Sequence, residues 1–426
     1  MRLIFTAASW VALALGSGSA ILRRHLMAFP SGLRALNHRD FRRFFAAQLV
    51  ALVGTWMQTV AQSWLVLSLT DSPLLLGLVG TLQFGPILLF SIFAGAVADR
   101  FPKRRLLLVT QLVLAAQALA LAALVASGQV RYWHVGCLAT LVGLANALDM
   151  PTRQALVADM VGKADVVNAV ALNSAAFNAA RIVGPGIAGV LIARAGMVPA
   201  FVVNACGFLI VVAALLTVRV EGAPRRRGGG VLAEVAEGVR YAARTPAIRL
   251  VLGLLFVVSI CVFNFTVYVP LLARNVLGLG ADGFGFLMAA LGVGAVCGAL
   301  ALGMQGAGLP SFRRMTVAAA LALGGLMALG AARTVPVAAA LLFFTGFFGI
   351  TLVASCNTWL QLAAPDDLRG RMMSLYALVW GGVFPIGAFC VGAISEAWGV
   401  STAFVVSATF GLVALAGLVL WWRGRG

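Results

Sequence analysis

Long apolar runs separated by short polar connections dominate the chain, and the runs near 44–67, 74–98, 106–126, 133–151, 168–193 and 198–218 each match the length of a bilayer-crossing helix. A second set follows near 249–272, 283–304, 315–331, 336–361, 372–393 and 401–422. A helix needs about 20 mostly apolar residues to cross the hydrocarbon layer, so the pattern predicts twelve spans in two sets of six. The longer polar break at 219–246 separates the sets. Its RRRGGG stretch, Arg225 to Gly230, reads as linker. Val231, Leu232, Val235 and Val239 then recur at helical spacing opposite Glu234, Glu237 and Arg240, which predicts a short helix lying on the membrane surface. The expected organisation is an N-terminal extension over 1–36, a six-helix half over 37–218, the linker over 219–246 and a second half over 247–426. Within the extension, Arg2, the apolar run Leu3–Leu15 and GSGSA resemble a signal peptide or a short extra span, and an over-extended or poorly ordered N-terminus is expected in preference to a thirteenth span.

Composition agrees with this class. The chain is 62% hydrophobic and 10% charged, more apolar surface than a soluble core can hide, so an all-α integral membrane protein is expected. A net charge of +18 raises the question of nucleic acid. The arginines cluster at the ends of apolar runs and build no basic face, so lipid and membrane topology account for the charge and no nucleic-acid partner is expected. With this span pattern, 23 of the 31 Lys and Arg residues fall in connections on one side, and only Arg131, Arg194, Arg274 and Arg333 on the other. Short basic loops stay inside, which puts both termini in the cytoplasm. The cysteines have no CxxC spacing and sit in or beside apolar runs, so no disulfide or metal role is expected.

The two sets resemble each other. A shift of 208 residues lays Gly95, Pro102 and Arg105 on Gly303, Pro310 and Arg313, and a shift of 203 lays Gly143, Gly189 and Gly196 on Gly346, Gly392 and Gly399. Parallel repeats of this kind place a substrate site at their interface.

Several residues interrupt the apolar runs in ways that suggest chemistry. Gln48, Thr55, Gln58 and Gln62 form one stripe on the first span, and Asn146, Asn264 and Trp380 add polar and aromatic candidates for a cavity lining. Hydrogen bonding between helices is the competing role for such residues. Arg181 lies deep in the fifth span one turn from Asn178, and it either meets an anionic substrate group or proton path, or clamps to a helix end or Asp149. Asp149, at the end of the fourth span, either carries a coupling proton or pairs with Arg153. Asp71 and Glu396 read as ordinary loop acids. The three histidines lie outside the spans, and neither HExxH nor GxxxxGK[ST] occurs, so no enzyme, metal, cofactor or ATP-driven pump is expected.

The stretch GAVADRFPKRR, with Gly95, Asp99, Arg100, Arg104 and Arg105, resembles the loop motif between the second and third spans of the major facilitator superfamily. DMPTRQALV, NAARIVGPGIAG and LRGRMMSLYALVWGGVFPIGA are similar to the bacterial branch that contains the enterobactin exporter and macrolide efflux proteins. The resemblance implies a major facilitator fold of two six-helix halves, a small-molecule substrate, alternating access and export. It also implies that Asp99 caps the start of the eleventh span, near Arg369 and Arg371, to hold the cytoplasmic side closed. Gly184, Pro185 and Gly189 of GPGIAG are expected to pack helices. Proton coupling and a monomeric state are expected, with import, or a non-transporting sensor or scaffold on the same fold, as alternatives. Ala307 and Gly308 stand where the second half would repeat Asp99 and Arg100, so the motif's charge is one-sided.

Overall fold

A computed structural model describes residues 31–220, 231–304, 308–365 and 368–424, with side chains described except at 31–32, 91–96, 98–99 and 231–236. The extension over 1–30 and the linker over 221–230 lie outside the described residues. The described residues are helical, without strands. Among the described residues, eleven helices are long and apolar enough to cross a membrane, and the 64-residue Tyr132–Ala195 contains two of the twelve expected spans.

That helix shows how one residue sets topology. Sixty-four residues in a straight α-helix would reach about 96 Å, some three times the hydrocarbon thickness. Gly162 breaks it at φ 72°, ψ 172°, a backbone state open almost only to glycine, and the chain reverses there. The apolar pattern predicts a loop over 152–167. The helix instead continues through Pro151 and resumes directly after Gly162, so both limbs project beyond the apolar run on the basic side.

The other first-half spans are Arg39–Thr70, Pro73–Arg100, Lys103–Ala126 and Val198–Thr217. Ser72 caps the second span by accepting from the Leu75 amide at 3.2 Å, with Pro73 in the first turn where its missing N–H costs nothing. The helix Val231–Arg244 precedes the second half, whose eighth, ninth, tenth and twelfth spans are Ala281–Gly303, Phe312–Leu329, Val335–Ala363 and Val400–Arg423.

Two second-half spans are broken, which the apolar pattern does not predict. The seventh runs Pro246–Cys261, restarts as Phe265–Leu271 and ends in a π-turn at Leu272–Val276. Pro270 has no N–H for the Thr266 carbonyl. Ser63 of the first span donates to that carbonyl at 3.3 Å, so the bond lost within one helix is replaced from the other half. The eleventh span runs Arg369–Gly382 and Phe384–Trp398, parted at Val383 just before Pro385.

The buried apolar side chains divide unequally. One large cluster joins both halves, among them Met57, Val60, Leu76, Ala188, Leu254 and Phe284. A second cluster, including Phe41, Phe44, Leu107, Leu156 and Val211, fills the basic end of the first half and contains no residue of the second. The halves therefore share a core toward the charge-poor side and have separate packing toward the basic side.

Candidate functional site

The two halves meet along two antiparallel helix pairs, and glycine makes both seams close. In the second and eleventh spans, a Cβ on Gly77 would lie 2.4 Å from the Ala388 carbonyl oxygen and 3.0 Å from the Gly392 Cα. In the fifth and eighth, a Cβ on Gly285 would lie 2.5 Å from the Pro185 carbonyl oxygen, and one on Gly189 2.9 Å from that of Ala281. Neither backbone could yield to a methyl at such distances. All four glycines lie toward the charge-poor ends of their helices. Gly184 serves the first half in the same way, because a Cβ there would lie 2.6 Å from the Trp56 Cβ.

Polar contacts cross the same region. Glu396, near the end of the eleventh span, accepts from the Ser72 hydroxyl at 2.7 Å and the Leu74 amide at 3.0 Å, so its carboxylate sits on the N-terminus of the second span. Arg274 pairs with Asp71 at 3.0 Å. The sequence suggests two ordinary loop acids; the structure joins each to the opposite half, because helix packing brings the connections at 71–72 against the ends of the seventh and eleventh spans. Deeper in, Thr81 donates to the Pro385 carbonyl at 2.9 Å, and Trp64 stacks on Phe284 at 6.2 Å between ring centres. Beneath this seal, Gln62, Ser63, Gln83 and Thr266 help line a cavity of about 20 Å³, room for one water.

The polar stripe of the first span divides into different environments. Gln58 donates to the Gln117 side-chain oxygen at 3.0 Å and accepts from Asn204 Nδ2 at 2.7 Å, a buried network joining the first, third and sixth spans. Thr55 donates to the Ala51 carbonyl at 2.9 Å, and Gln62 donates to Gln83 at 2.9 Å beside the small cavity. Gln48 is buried, with Oε1 lacking a partner. Asn264 is buried at the break in the seventh span; its amide donates to the Ile260 carbonyl at 2.7 Å and its Oδ1 lacks a partner. Trp380 meets Phe263 edge-on at 4.4 Å, and Asn146 is half-buried on the fourth span.

Asp149 is fully buried and held from three directions, by Thr110 Oγ1 at 2.9 Å, Gln111 Nε2 at 2.7 Å and the Arg153 guanidinium one turn along its own helix. Arg181 makes no contact with it. The Arg181 Nε is buried without a hydrogen-bond partner, and Asn178 donates to the Ser174 carbonyl at 2.9 Å.

On the basic side, Arg100 and Arg105 are exposed. Arg104 donates to the Leu215 and Leu216 carbonyls at 2.7 and 2.9 Å, closing the C-terminus of the sixth span. Arg369 donates to the Gln361 carbonyl at 3.0 Å, and Arg371 pairs at 2.7 Å with Glu237 of the helix Val231–Arg244. The side chain expected to face them, Asp99, lies outside the described residues, as does the Cβ environment of Gly95.

Other charge sites emerge only from the fold. Lys103 is buried and pairs with Asp159 at 2.5 Å, tying the third span to the limb before Gly162. His38 meets Asp165 at 2.8 Å, tying the chain start to the limb after it.

Two six-helix halves that seal along glycine seams on one side define a membrane transporter of the major facilitator fold. The sequence model of the family described as transmembrane secretion effector matches residues 30–423, and the chain belongs to that family, whose members are transporters and not enzymes. It is 29% identical to the multidrug efflux pump Tap of Mycolicibacterium fortuitum, over 84% of this chain and 90% of that protein. It is 23% identical to the staphyloferrin A transporter of Staphylococcus aureus, over 85% and 91% of the two chains, and 25% identical to the enterobactin exporter EntS of Shigella boydii, over 90% and 91%. Among solved structures, a bacterial homologue of the human lysosomal transporter Spinster has a TM-score of 0.71 at 14% identity, covering 90% of this chain and 96% of that one. A POT family transporter has a TM-score of 0.73 at 14% identity, covering 91% and 96%. Likeness at such low identity concerns the fold alone.

Proposed function

We propose that this protein is a secondary active exporter of small amphipathic molecules, of the siderophore, drug or related metabolite kind, working as a monomer in a bacterial inner membrane with both termini cytoplasmic. The observation that carries the reading is the one-sided closure: both glycine seams, the Arg274–Asp71 ion pair and the Glu396 hydrogen bonds lie on the charge-poor side. Taking the basic side as cytoplasmic, the pathway is shut to the outside and the halves are free to part toward the cytoplasm, the state in which an exporter loads. The efflux and export functions named for the relatives support the direction.

Transport follows by rocking the halves. Opening outward breaks the Glu396 and Asp71 contacts and parts the seams. Closing inward brings Asp99, at the end of the second span, onto the start of the eleventh. The same helix pair then serves both gates, with an acid at the C-terminal end of one facing the N-terminus of the other. Asp149, buried in the fourth span, is the residue assigned to a coupling proton in this scheme. One proton moving down about 150 mV supplies roughly 3.5 kcal/mol, enough for a gradient of a few hundredfold.

Everted membrane vesicles, cytoplasmic face outward, test this. With the interior acidified they are expected to take up components of a cell metabolite extract, read by mass spectrometry against vesicles lacking the protein. Uptake that survives a protonophore would remove the proton from the scheme. Uptake by right-side-out vesicles alone would reverse the direction, and none in either would indicate a sensor or scaffold.

A further inference from the structure

We propose that Arg181 recognises an acidic group on the transported molecule, so that the substrates are amphipathic carboxylates and not cations. The inference rests on the export reading and adds the charge class of the cargo. Arg181 stands 14 residues before the end of the fifth span, about 21 Å along the helix from Ala195. It is therefore in the membrane interior and well away from the charge-poor surface. A cation there is costly unless it faces a wet path or a counter-charge.

Among the described residues none supplies a counter-charge. The Nε is buried without a partner, and no ion pair joins Arg181 to a described residue. Asp149 is already bound by Arg153, Thr110 and Gln111. Asp282 sits in the first turn of the eighth span, against Gly189, two turns further toward the charge-poor side. Within the described residues, the Arg181 charge in the membrane interior is therefore left without a counter-charge.

Its position is on the route between the halves. A Cβ on Gly292 of the eighth span would lie 2.8 Å from Ile182 Cγ1 and 3.3 Å from the Arg181 carbonyl oxygen, so the second half passes directly beside it. Phe177, one turn toward the basic side on the same face, meets Trp56 of the first span edge-on at 5.7 Å. Phe177 is exposed and Trp56 half-buried. An arginine one helical turn from an aromatic pair suits a ligand that combines a carboxylate with an apolar body, and a planar guanidinium can hold both carboxylate oxygens. A cationic ligand would meet repulsion at the same place.

The test uses the full chain in nanodiscs and three probes with one apolar body: 1-pyrenebutyrate, neutral 1-pyrenebutanol and cationic 1-pyrenebutylamine. Binding is measured by equilibrium dialysis and corrected with empty nanodiscs. The wild type is expected to bind the carboxylate about tenfold more tightly than the alcohol, with the amine weakest. Arg181→Gln should bring carboxylate and alcohol within about twofold, and Arg181→Lys should keep part of the preference. Equal affinities in the wild type would overturn the proposal without any variant. So would a preference that survives Arg181→Gln, since general surface charge would then explain it. Binding is read without flux. Preference in a protein that moves no probe would therefore keep the site and remove export, whereas equal flux of carboxylate and alcohol would keep export and remove the site.

Discussion

Replacing Glu396 by alanine removes a carboxylate that bridges the halves on the charge-poor side and leaves the apolar seam beneath it intact. Its Oε2 accepts from the Ser72 hydroxyl at 2.7 Å and the Leu74 amide at 3.0 Å. A hydrogen bond to a charged group contributes about 1.5–3 kcal/mol when well shielded. Glu396 is exposed, so the pair is better counted at about 1 kcal/mol. Its charge on the N-terminus of the second span adds about 0.3–1 kcal/mol. The closed state should lose about 1–2 kcal/mol, which multiplies the outward-open to closed ratio roughly 5- to 30-fold. Ser72 still caps its own helix through the Leu75 amide, so the fold should persist. Spin labels at Gln129 and Thr334, exposed on the charge-poor side of opposite halves, would report this by pulsed dipolar spectroscopy after replacement of the six free cysteines. The long-distance population should rise in Glu396→Ala. A distribution unchanged within about twofold would refute the assignment of Glu396 to the seal.

Four further perturbations separate closure from packing. Gly77→Ala places a methyl 2.4 Å from the Ala388 carbonyl and should destabilise the closed state by about 1–3 kcal/mol, shifting the same labels, whereas Gly85→Ala, with nothing within 4 Å, should leave them unmoved. Gln58→Leu deprives Gln117 and Asn204 of their shared partner and should lower the thermal midpoint by about 2–6 °C without altering which substrates are carried; a changed range with an unchanged midpoint would make Gln58 a contact residue. Reversing Asp71, which is exposed, or its half-buried partner Arg274 singly should open the charge-poor side slightly, by at most about 1 kcal/mol, and the double reversal should restore it; independent effects in the double-mutant cycle would exclude the contact. Asp99→Asn should slow transport in well-folded protein, and a wild-type rate would exclude its gating role.

The spans were the legible part of the sequence, because a bilayer forces every backbone polar group into a helix and so imposes runs of fixed length. Where each helix stops was less legible. Pro151 suggests an end to the fourth span, but a helix can carry a proline, and the reversal falls instead at Gly162, whose positive φ no apolar pattern reveals. Pro270 and Pro385 are signals for the two broken spans, yet what makes the first break tolerable, the Ser63 hydroxyl on the Thr266 carbonyl, comes from 203 residues away. The polar residues follow the same rule. A single glutamine in an apolar run announces that it needs a partner, but not that Gln58 would find Gln117 and Asn204 while Gln62 finds Gln83. Gln117 and Asn204 also interrupt apolar runs and so announce that they need partners, but Gln83 and Gln111 do the same, and only the packing assigns the pairs. Asp71 and Glu396 carried no such signal, since acids at loop ends are ordinary until the packing of the second span against the eleventh gives them partners.

The most direct measurement of export is mass spectrometry of cells and medium from a deletion strain, its complement and an Asp99→Asn complement, grown with and without iron limitation. An acidic amphipathic metabolite is expected to accumulate inside the deletion strain and to return to the medium with the wild-type gene but not with Asp99→Asn. Identical distributions in the deletion strain and its complement, or a metabolite retained in the medium when the gene is absent, would contradict an exporter.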